Sequence, residues 1–502
     1  MGKYIVGIDQ STQGTKALLL DEDGKIKSKT FLLHKQIISD QGWVSHDLSE
    51  IYFNSVQCIK KVIEEAGIKK DEVAAIGISN QRETTAMWSR VTGVPCTDAV
   101  VWQCSRAGRI AVEVEELGCR DMIKAHTGIS LSPYFPAAKM AWLLRNVDNG
   151  QQSAEEGKIC LGTIDSWLVY KMTGGKSFIT DYSNASRTQL FNIHSLTWDD
   201  ELLKIFNIPK CALPIIQDSD GLFGETDLDG CFSHPIPIHG VMGDSHAALF
   251  GQGCLESGMI KATYGTGSSI MMNIGQSPVM SEHGVVTSLA WRMNGKTDYV
   301  LEGNINNAGS VITWLKDELG IIQTPEETAE FARQAKAGDS TYFVPAFTGF
   351  GAPYWDPNAC AVIYGMGRTT GKMEIVRAAL ECIAYQIKDI IIAMEKDSGI
   401  QIEELRVDGS ATKNPYLMQF QSDILNKIIK IPQIAELSAM GAAYAAGIGI
   451  GFYQKENLFK EVNKTEYFPH MTENCRAEKY NGWKKAVYHA SNRKQSERKR
   501  KK

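Results

Sequence analysis

Asp9 stands at the end of an apolar run, Tyr4-Ile5-Val6-Gly7-Ile8, and leads into Gln10-Ser11-Thr12-Gln13-Gly14-Thr15-Lys16 before the chain turns apolar again at Ala17-Leu18-Leu19-Leu20. A carboxylate inside an apolar strand needs a partner. A tight turn of hydroxyls and glycine between two strands offers backbone N–H groups and hydroxyls to a polyphosphate, and it puts the acid where a phosphate-bound Mg²⁺ would arrive. The same strand, glycine-hydroxyl turn, strand pattern recurs at 259–273, around Tyr264-Gly265-Thr266-Gly267-Ser268-Ser269. Two such hairpins facing each other across a cleft would grip a nucleotide from both sides. Arg82-Glu83 follow the strand-like run Val73 to Asn80, and Asp244 follows the strand-like run Ile236 to Gly243 in the first turn of a helix. In α/β sheets such strand ends are where ligands bind.

These residues need a large scaffold. With 502 residues, 43% of them hydrophobic, the chain can build two or more cores and a cleft between them. Strand-like and helical runs alternate, which predicts an α/β architecture with mixed sheets. Asp23-Gly24 supplies a hairpin turn after the first two strands. Ile375, Val376, Ala379, Leu380, Ile383, Ala384, Ile387, Ile390 and Ile391 carry the spacing of a long amphipathic helix over Glu374 to Lys396. The echo of the first hairpin in the second predicts two duplicated halves, 1–251 and 252–502, with the boundary near Gly251 to Gly258. Neither Gly265-Thr266-Gly267 nor Gly447, Gly449 and Gly451 fits the dinucleotide fingerprint, which argues against a Rossmann dehydrogenase.

Composition narrows the class further. No run approaches the roughly 18 apolar residues of a membrane helix, and the N-terminus lacks the order of a secretory signal, so a soluble cytoplasmic chain is expected. The 11 cysteines contain no C-x-x-C and read as reduced thiols rather than disulfides or zinc ligands. A net charge of −5 gives no reason to expect nucleic acid or anionic lipid as a partner. The basic end, 491–502, reads as a solvated tail. A homo-oligomer, dimer or tetramer, is expected.

Longer segments carry a family resemblance. Gly77-Ile78-Ser79-Asn80-Gln81-Arg82-Glu83-Thr84-Thr85, Thr180-Asp181-Tyr182-Ser183-Asn184-Ala185-Ser186-Arg187-Thr188, Val344 to Trp355 and Met418 to Leu425 resemble the FGGY carbohydrate kinases, and among them the glycerol kinases, over nearly the whole chain. Tyr134-Phe135-Pro136-Ala137-Ala138-Lys139-Met140-Ala141-Trp142-Leu143-Leu144-Arg145-Asn146 and the run Ala361 to Glu381 match the two family signatures. The resemblance implies an actin-like (ribonuclease H-like) ATPase fold, two duplicated α/β domains closing over ATP and a small polyol.

It also implies roles, each with a chemical reason. Asp244 is the candidate base that takes the proton of the attacking hydroxyl. Arg82 donates to hydroxyl oxygens and Glu83 accepts from hydroxyl protons, so together they suit a vicinal diol. Trp102 and Tyr134 would cover the C–H face of the acceptor. Asp9 would hold Mg²⁺. Ser11, Thr12, Gln13, Gly14, Thr15 and Lys16 would surround the phosphates, met across the cleft by Gly265, Thr266, Gly309 and Thr313. Adenosine would lie by Ser410, Ala411 and Asn414. Where glycerol kinases usually carry glutamine and phenylalanine, this chain has Ser245 and Ser269, which leaves room for a four- or five-carbon polyol or ketose as an alternative acceptor. A non-metabolic actin-like ATPase is a more distant reading, because it gives no reason for Arg82, Glu83, Trp102 and Tyr134.

Overall fold

The computed structural model describes residues 3–433, 436–459 and 464–491. The basic tail is therefore described only at Ser491; residues 492–502 lie outside the described residues.

Six strands form the first sheet: β1 (Tyr4–Gln10), β2 (Gly14–Leu20), β3 (Ile26–Leu33), β4 (Val73–Asn80), β5 (Leu222–Thr226) and β6 (Ile236–Gly243), in the spatial order β5-β6-β4-β1-β2-β3. β1, β2 and β3 are an antiparallel meander, while β1, β4 and β6 run parallel. Seven strands form the second: β7 (Ile260–Tyr264), β8 (Ser268–Gly275), β9 (Val286–Met293), β10 (Lys296–Ile305), β11 (Glu404–Gly409), β12 (Ile428–Pro432) and β13 (Lys464–Tyr467), in the order β9-β10-β8-β7-β11-β12-β13. Here too an antiparallel trio, β10-β8-β7, continues through β7 into a parallel trio, β7-β11-β12. The hairpins β1-β2 and β7-β8 thus hold equivalent places in two sheets of one plan. This is the duplicated actin-like architecture.

Local chemistry sets the boundaries. Between β2 and β3, Asp21 Oδ1 accepts from the backbone N–H of Asp23 and Lys25 at 3.0 and 2.9 Å, and Gly24 takes φ +74°, the left-handed region that glycine enters without steric cost. The long amphipathic helix runs from Lys372 to Ser398, slightly beyond the expected span. It begins where Glu374 Oε2 accepts from the Gly371 N–H at 2.7 Å and ends at Gly399, φ +71°.

Two helices join the halves. α1 (Asp244–Gly251) leaves the end of β6, and α2 (Leu437–Gly449), from far along the second half, packs on β1, β4 and β6 of the first sheet. The approach is backbone to backbone. A Cβ at Gly7 would collide with the Ala439 carbonyl, one at Gly77 with the Ala442 carbonyl, and one at Gly441 with the Ala247 carbonyl of α1. Ile5, Leu18, Met242 and Phe250 share one apolar cluster with Met271, Trp291, Val300, Met440 and Ala443. The site therefore sits above a tightly packed junction of the two halves.

Candidate active site

Asp9 is the penultimate residue of β1, in register with Ser79 of β4 and Lys16 of β2. Its Oδ1 accepts from Ser79 Oγ at 3.0 Å. Lys16, expected among the phosphate contacts, gives its ammonium to Glu436 instead. Burial first, and then the charge of Asp244, push the Asp9 carboxyl up to about 6 against the pull of Lys16 and Ser79. A desolvated carboxylate next to a second acid suits an incoming cation. Among the described residues no three His, Cys, Asp or Glu side chains converge as a cage. Mg²⁺ does not require one, since it is commonly held by one or two carboxylates together with substrate phosphates.

The turn after Asp9 splits into an open tip and a buried base. Ser11 and Thr12 are part-exposed and Gln13 is exposed, with Ser11 N–H and Oγ both donating to the Gly14 carbonyl at 2.8 and 2.9 Å. Gly14 and Thr15 are buried in β2. Thr15 thus corrects the expectation: its hydroxyl is enclosed without a partner in the sheet rather than turned to the turn's mouth, because strand alternation sends it inward. In the second hairpin, Gly265 and Thr266 are exposed. Their carbonyls accept from the N–H groups of Gly309 and Ser310, at 3.0 and 3.1 Å, in the first turn of α3, counted here as the helix Gly309–Asp317 that also bears Thr313. The turn is braced on a helix N-terminus, which brings Gly265, Thr266 and Gly309 together, with Thr313 one turn further along the helix.

At the proposed adenosine end, Ser410 is exposed and Ala411 part-exposed, after Gly409. Asn414 is tied into the local fold. Its Oδ1 accepts from Leu417 N–H at 3.0 Å and its Nδ2 donates to Thr328 Oγ1 at 2.9 Å, so the amide caps the helix Pro415–Leu425. Asparagine directly before a helix-opening proline favours capping.

The acceptor end is dense with charge. Arg82 is 6% exposed and gives Nε to Asp244 Oδ1 at 3.0 Å. Both hydrogen bonds that the Asp244 carboxylate accepts go to Oδ1, the other coming from Ser245 N–H at 2.6 Å. The helix cap is Gly243, so Asp244 is not engaged in capping. Glu83, 2% exposed, sits at φ +60°, a conformation uncommon for a side chain other than glycine. Its Oε1 accepts from Arg187 Nε at 2.7 Å. Trp102 donates its indole N–H to Thr12 Oγ1 at 2.9 Å and meets Tyr134 edge-on, the ring centroids 5.6 Å apart. The Trp102–Tyr134 wall and the turn after Asp9 are thereby tied together.

Glu302, Arg187, Lys139 and Asn304, none of them given a role from the sequence, complete this end together with Ser245 and Ser269. Glu302 of β10 is fully buried and takes Nη1 and Nη2 of Arg82 at 3.0 and 2.8 Å, with Arg187 Nη1 2.7 Å away. Burial would raise its carboxyl, but Arg187 and Arg82 outweigh that and hold it well below the usual range. Lys139 is wholly enclosed and donates to the backbone carbonyls of Tyr134 and Glu83, which pins both sides of the pocket. Burial pushes its ammonium down to about 7. Asn304 faces Ser269 across β8 and β10, and both donate to Glu302 Oε1, at 3.2 and 3.3 Å. Ser245 Oγ accepts from Arg82 Nη2 at 3.2 Å. A sequence signal that could have found Glu302 is an acid directly after an apolar run, as with Asp9: Tyr299-Val300-Leu301-Glu302.

Comparison with known proteins follows the same outline. The chain matches the models of the FGGY family of carbohydrate kinases, the N-terminal domain over residues 4–251 and the C-terminal domain over 260–450. It is 48% identical to glycerol kinase 1 of Thermotoga maritima over 486 residues, covering 96% of this chain and 99% of that one. It is 45% identical to a glycerol kinase of Staphylococcus haemolyticus over 489 residues, covering 97% and 98%. Among solved structures, Plasmodium falciparum glycerol kinase with ADP superposes with a TM-score of 0.91 at 36% identity, over 97% of this chain and 98% of that chain.

Proposed function

The chain belongs to the FGGY family of carbohydrate kinases, and from that premise we propose that it transfers the γ-phosphoryl group of ATP to a terminal hydroxyl of a small polyol, with glycerol as the first acceptor to test. The observation that carries this reading is the Asp244 carboxylate. It stands at a strand end, with both accepted hydrogen bonds on one oxygen and a guanidinium beside it.

In the reaction, the acceptor oxygen bonds to the γ-phosphorus as the bond to the β,γ-bridging oxygen breaks, and the hydroxyl proton passes to Asp244 Oδ2. Arg82 and Glu83 orient the acceptor, and Trp102 and Tyr134 cover its C–H face. The two hairpin turns present N–H groups and hydroxyls to the phosphates, so most of the catalysis is positioning and charge stabilisation. Mg²⁺ at Asp9 would neutralise phosphate charge. Coupled measurement of ADP release with and without a polyol panel tests the proposal. Acceptor-dependent turnover supports it; equal ATP consumption with and without every polyol would point to the non-metabolic ATPase instead.

One observation favours a second acceptor reading. Ser245, Ser269 and Asn304 are part-exposed polar groups around Arg82 and Glu302, where a glycerol-sized site needs fewer hydrogen-bonding partners. A four- or five-carbon polyol or ketose would meet them with its extra hydroxyls. Since one carbon of misfit is worth about 1–3 kcal/mol, the preference over glycerol should be about 10-fold or more in kcat/KM, and Ser269→Phe should move it back toward glycerol. A wide preference of the unaltered enzyme for glycerol decides against this reading.

A further inference from the structure

Glu302 is an acid that the second sheet brings to the charged groups of the first half, with Lys261 of the same sheet buried nearby. Five residues form a ladder of alternating charge: Glu83, Arg187, Glu302, Arg82 and Asp244. A guanidinium is a rigid planar fork of five N–H donors. With Nη1 and Nη2 of Arg82 both taken by Glu302, only Nε is directed at Asp244. The same carboxylate sits against Arg187, whose Nε holds Glu83. Ser269 and Asn304, on β8 and β10 of the same sheet, donate to Glu302 Oε1 and fix its rotamer.

We propose that Glu302 is a positioning residue for phosphoryl transfer: entering from the second half, it fixes the two groups that orient the acceptor and keeps Arg82 from clasping Asp244 with its paired nitrogens, which leaves Oδ2 open to the acceptor's proton. The inference rests on the kinase reading above. It makes the acceptor grip complete only when the second sheet is seated against the first, so nucleotide held by the second half and polyol held by the first are linked through one carboxylate.

A role in charge neutralisation alone would need one negative charge near two guanidiniums; positioning needs reach as well. Glu302→Asp separates the two, because it keeps the charge on a side chain one methylene too short to span Arg82 and Arg187 from a fixed strand. The unaltered enzyme, Glu302→Asp and Glu302→Gln are compared by steady-state kinetics with ATP and each polyol of the panel, by calorimetric binding of ATP alone, and by thermal melting. Glu302→Asp should melt close to the unaltered enzyme and bind ATP equally well, yet lose about 10- to 100-fold in kcat with acceptor KM raised about 10-fold, the scale of a small misplacement. Glu302→Gln should also melt lower, because two buried guanidiniums lose their shared anion. Unchanged kcat and acceptor KM in Glu302→Asp would overturn the inference. If that variant does not fold, Asn304→Leu removes one donor to Oε1 without altering charge. A fall of about threefold in kcat at saturating acceptor and constant ATP affinity supports the proposal, because loss of a mere binding contact would raise acceptor KM alone, and an unchanged kcat overturns it. An unaltered enzyme that phosphorylates no polyol would instead defeat the kinase reading, and the inference with it.

Discussion

The two halves build the same strand pairing around an acid and a hydroxyl, with the two exchanged. In the first half the acid is on the hairpin strand and the hydroxyl on its parallel neighbour, Asp9 on β1 and Ser79 on β4, joined at 3.0 Å. In the second half the hydroxyl is on the hairpin strand and the acid beside it, Thr263 on β7 and Asp408 on β11, joined at 2.8 Å. Asp408 has a second donor, Gln252 Nε2 at 2.8 Å, and Lys261, which donates to Thr263, stands near it. Asp9 has Ser79 alone as a side-chain donor, its cross-strand lysine is paired with Glu436, and it faces Asp244. Burial raises both carboxyls, but only Asp9 has a second acid pushing the same way. The frame was duplicated; the electrostatics were not. One acid is given partners and holds the fold, while the other is left short of them and is ready for a ligand.

The most severe test concerns the acids of the first half. Asp244→Asn should lower kcat by about 10² to 10⁴, the usual contribution of a general base, while ATP and acceptor still bind. If Asp408→Asn cost as much, the contrast between the halves would collapse. Asp9→Asn sharpens it through stability. An acid whose folded-state value is raised to about 6 from ~4 weighs against folding once it ionises, and the penalty is complete above pH 6 and absent below ~4. Without ligands, Asp9→Asn should therefore be more stable than the unaltered protein at pH 7.5 by up to about 3 kcal/mol, with the gain vanishing as pH falls to 4 and with turnover depressed. Paired melting curves across that range decide the matter, and a loss of stability at pH 7.5 would contradict it. Asp408→Asn should give a smaller gain than Asp9→Asn at pH 7.5, with kcat within about twofold, because Lys261, Thr263 and Gln252 offset part of the burial that raises its carboxyl. The smallest effect belongs to the exposed turn of the second half. Thr266→Ala should raise the KM for ATP by about two- to threefold and leave kcat alone, since backbone groups do most of the holding there. A larger kcat effect would mean that the hydroxyl acts in the chemistry itself.

Much of this frame is legible in the sequence because its signals are local. The hairpins at 4–20 and 260–275, the strands before Arg82 and Asp244, and the helix at 372–398 each follow from runs, turns and helical spacing within a few dozen residues. Thr15 was misread locally, and Asn414 has a local task as well. A hydroxyl near a turn obeyed strand alternation, and an asparagine before proline obeyed helix capping. The ladder of charges is a different matter. Glu302 and Arg82 are 220 residues apart, and Glu83 and Arg187 are 104 apart, so no periodicity links them. Composition likewise marks Leu437 to Gly449 as small and apolar, yet only the tertiary approach shows that this stretch lies on a sheet completed nearly 200 residues earlier.

That approach has a consequence for how the chain is made. α1 ends at Gly251 and α2 ends roughly 200 residues later, at Gly449. At about 5–20 residues per second, a ribosome needs about 10–40 s to cover that distance. Throughout the interval the face of the first sheet around Gly7 and Gly77 has no helix to cover it, so the nascent first half is a complete set of strands with an open apolar side. Translation that stalls between these points leaves a species prone to aggregate, and a fragment ending near residue 251 should need chaperone binding that the finished chain does not.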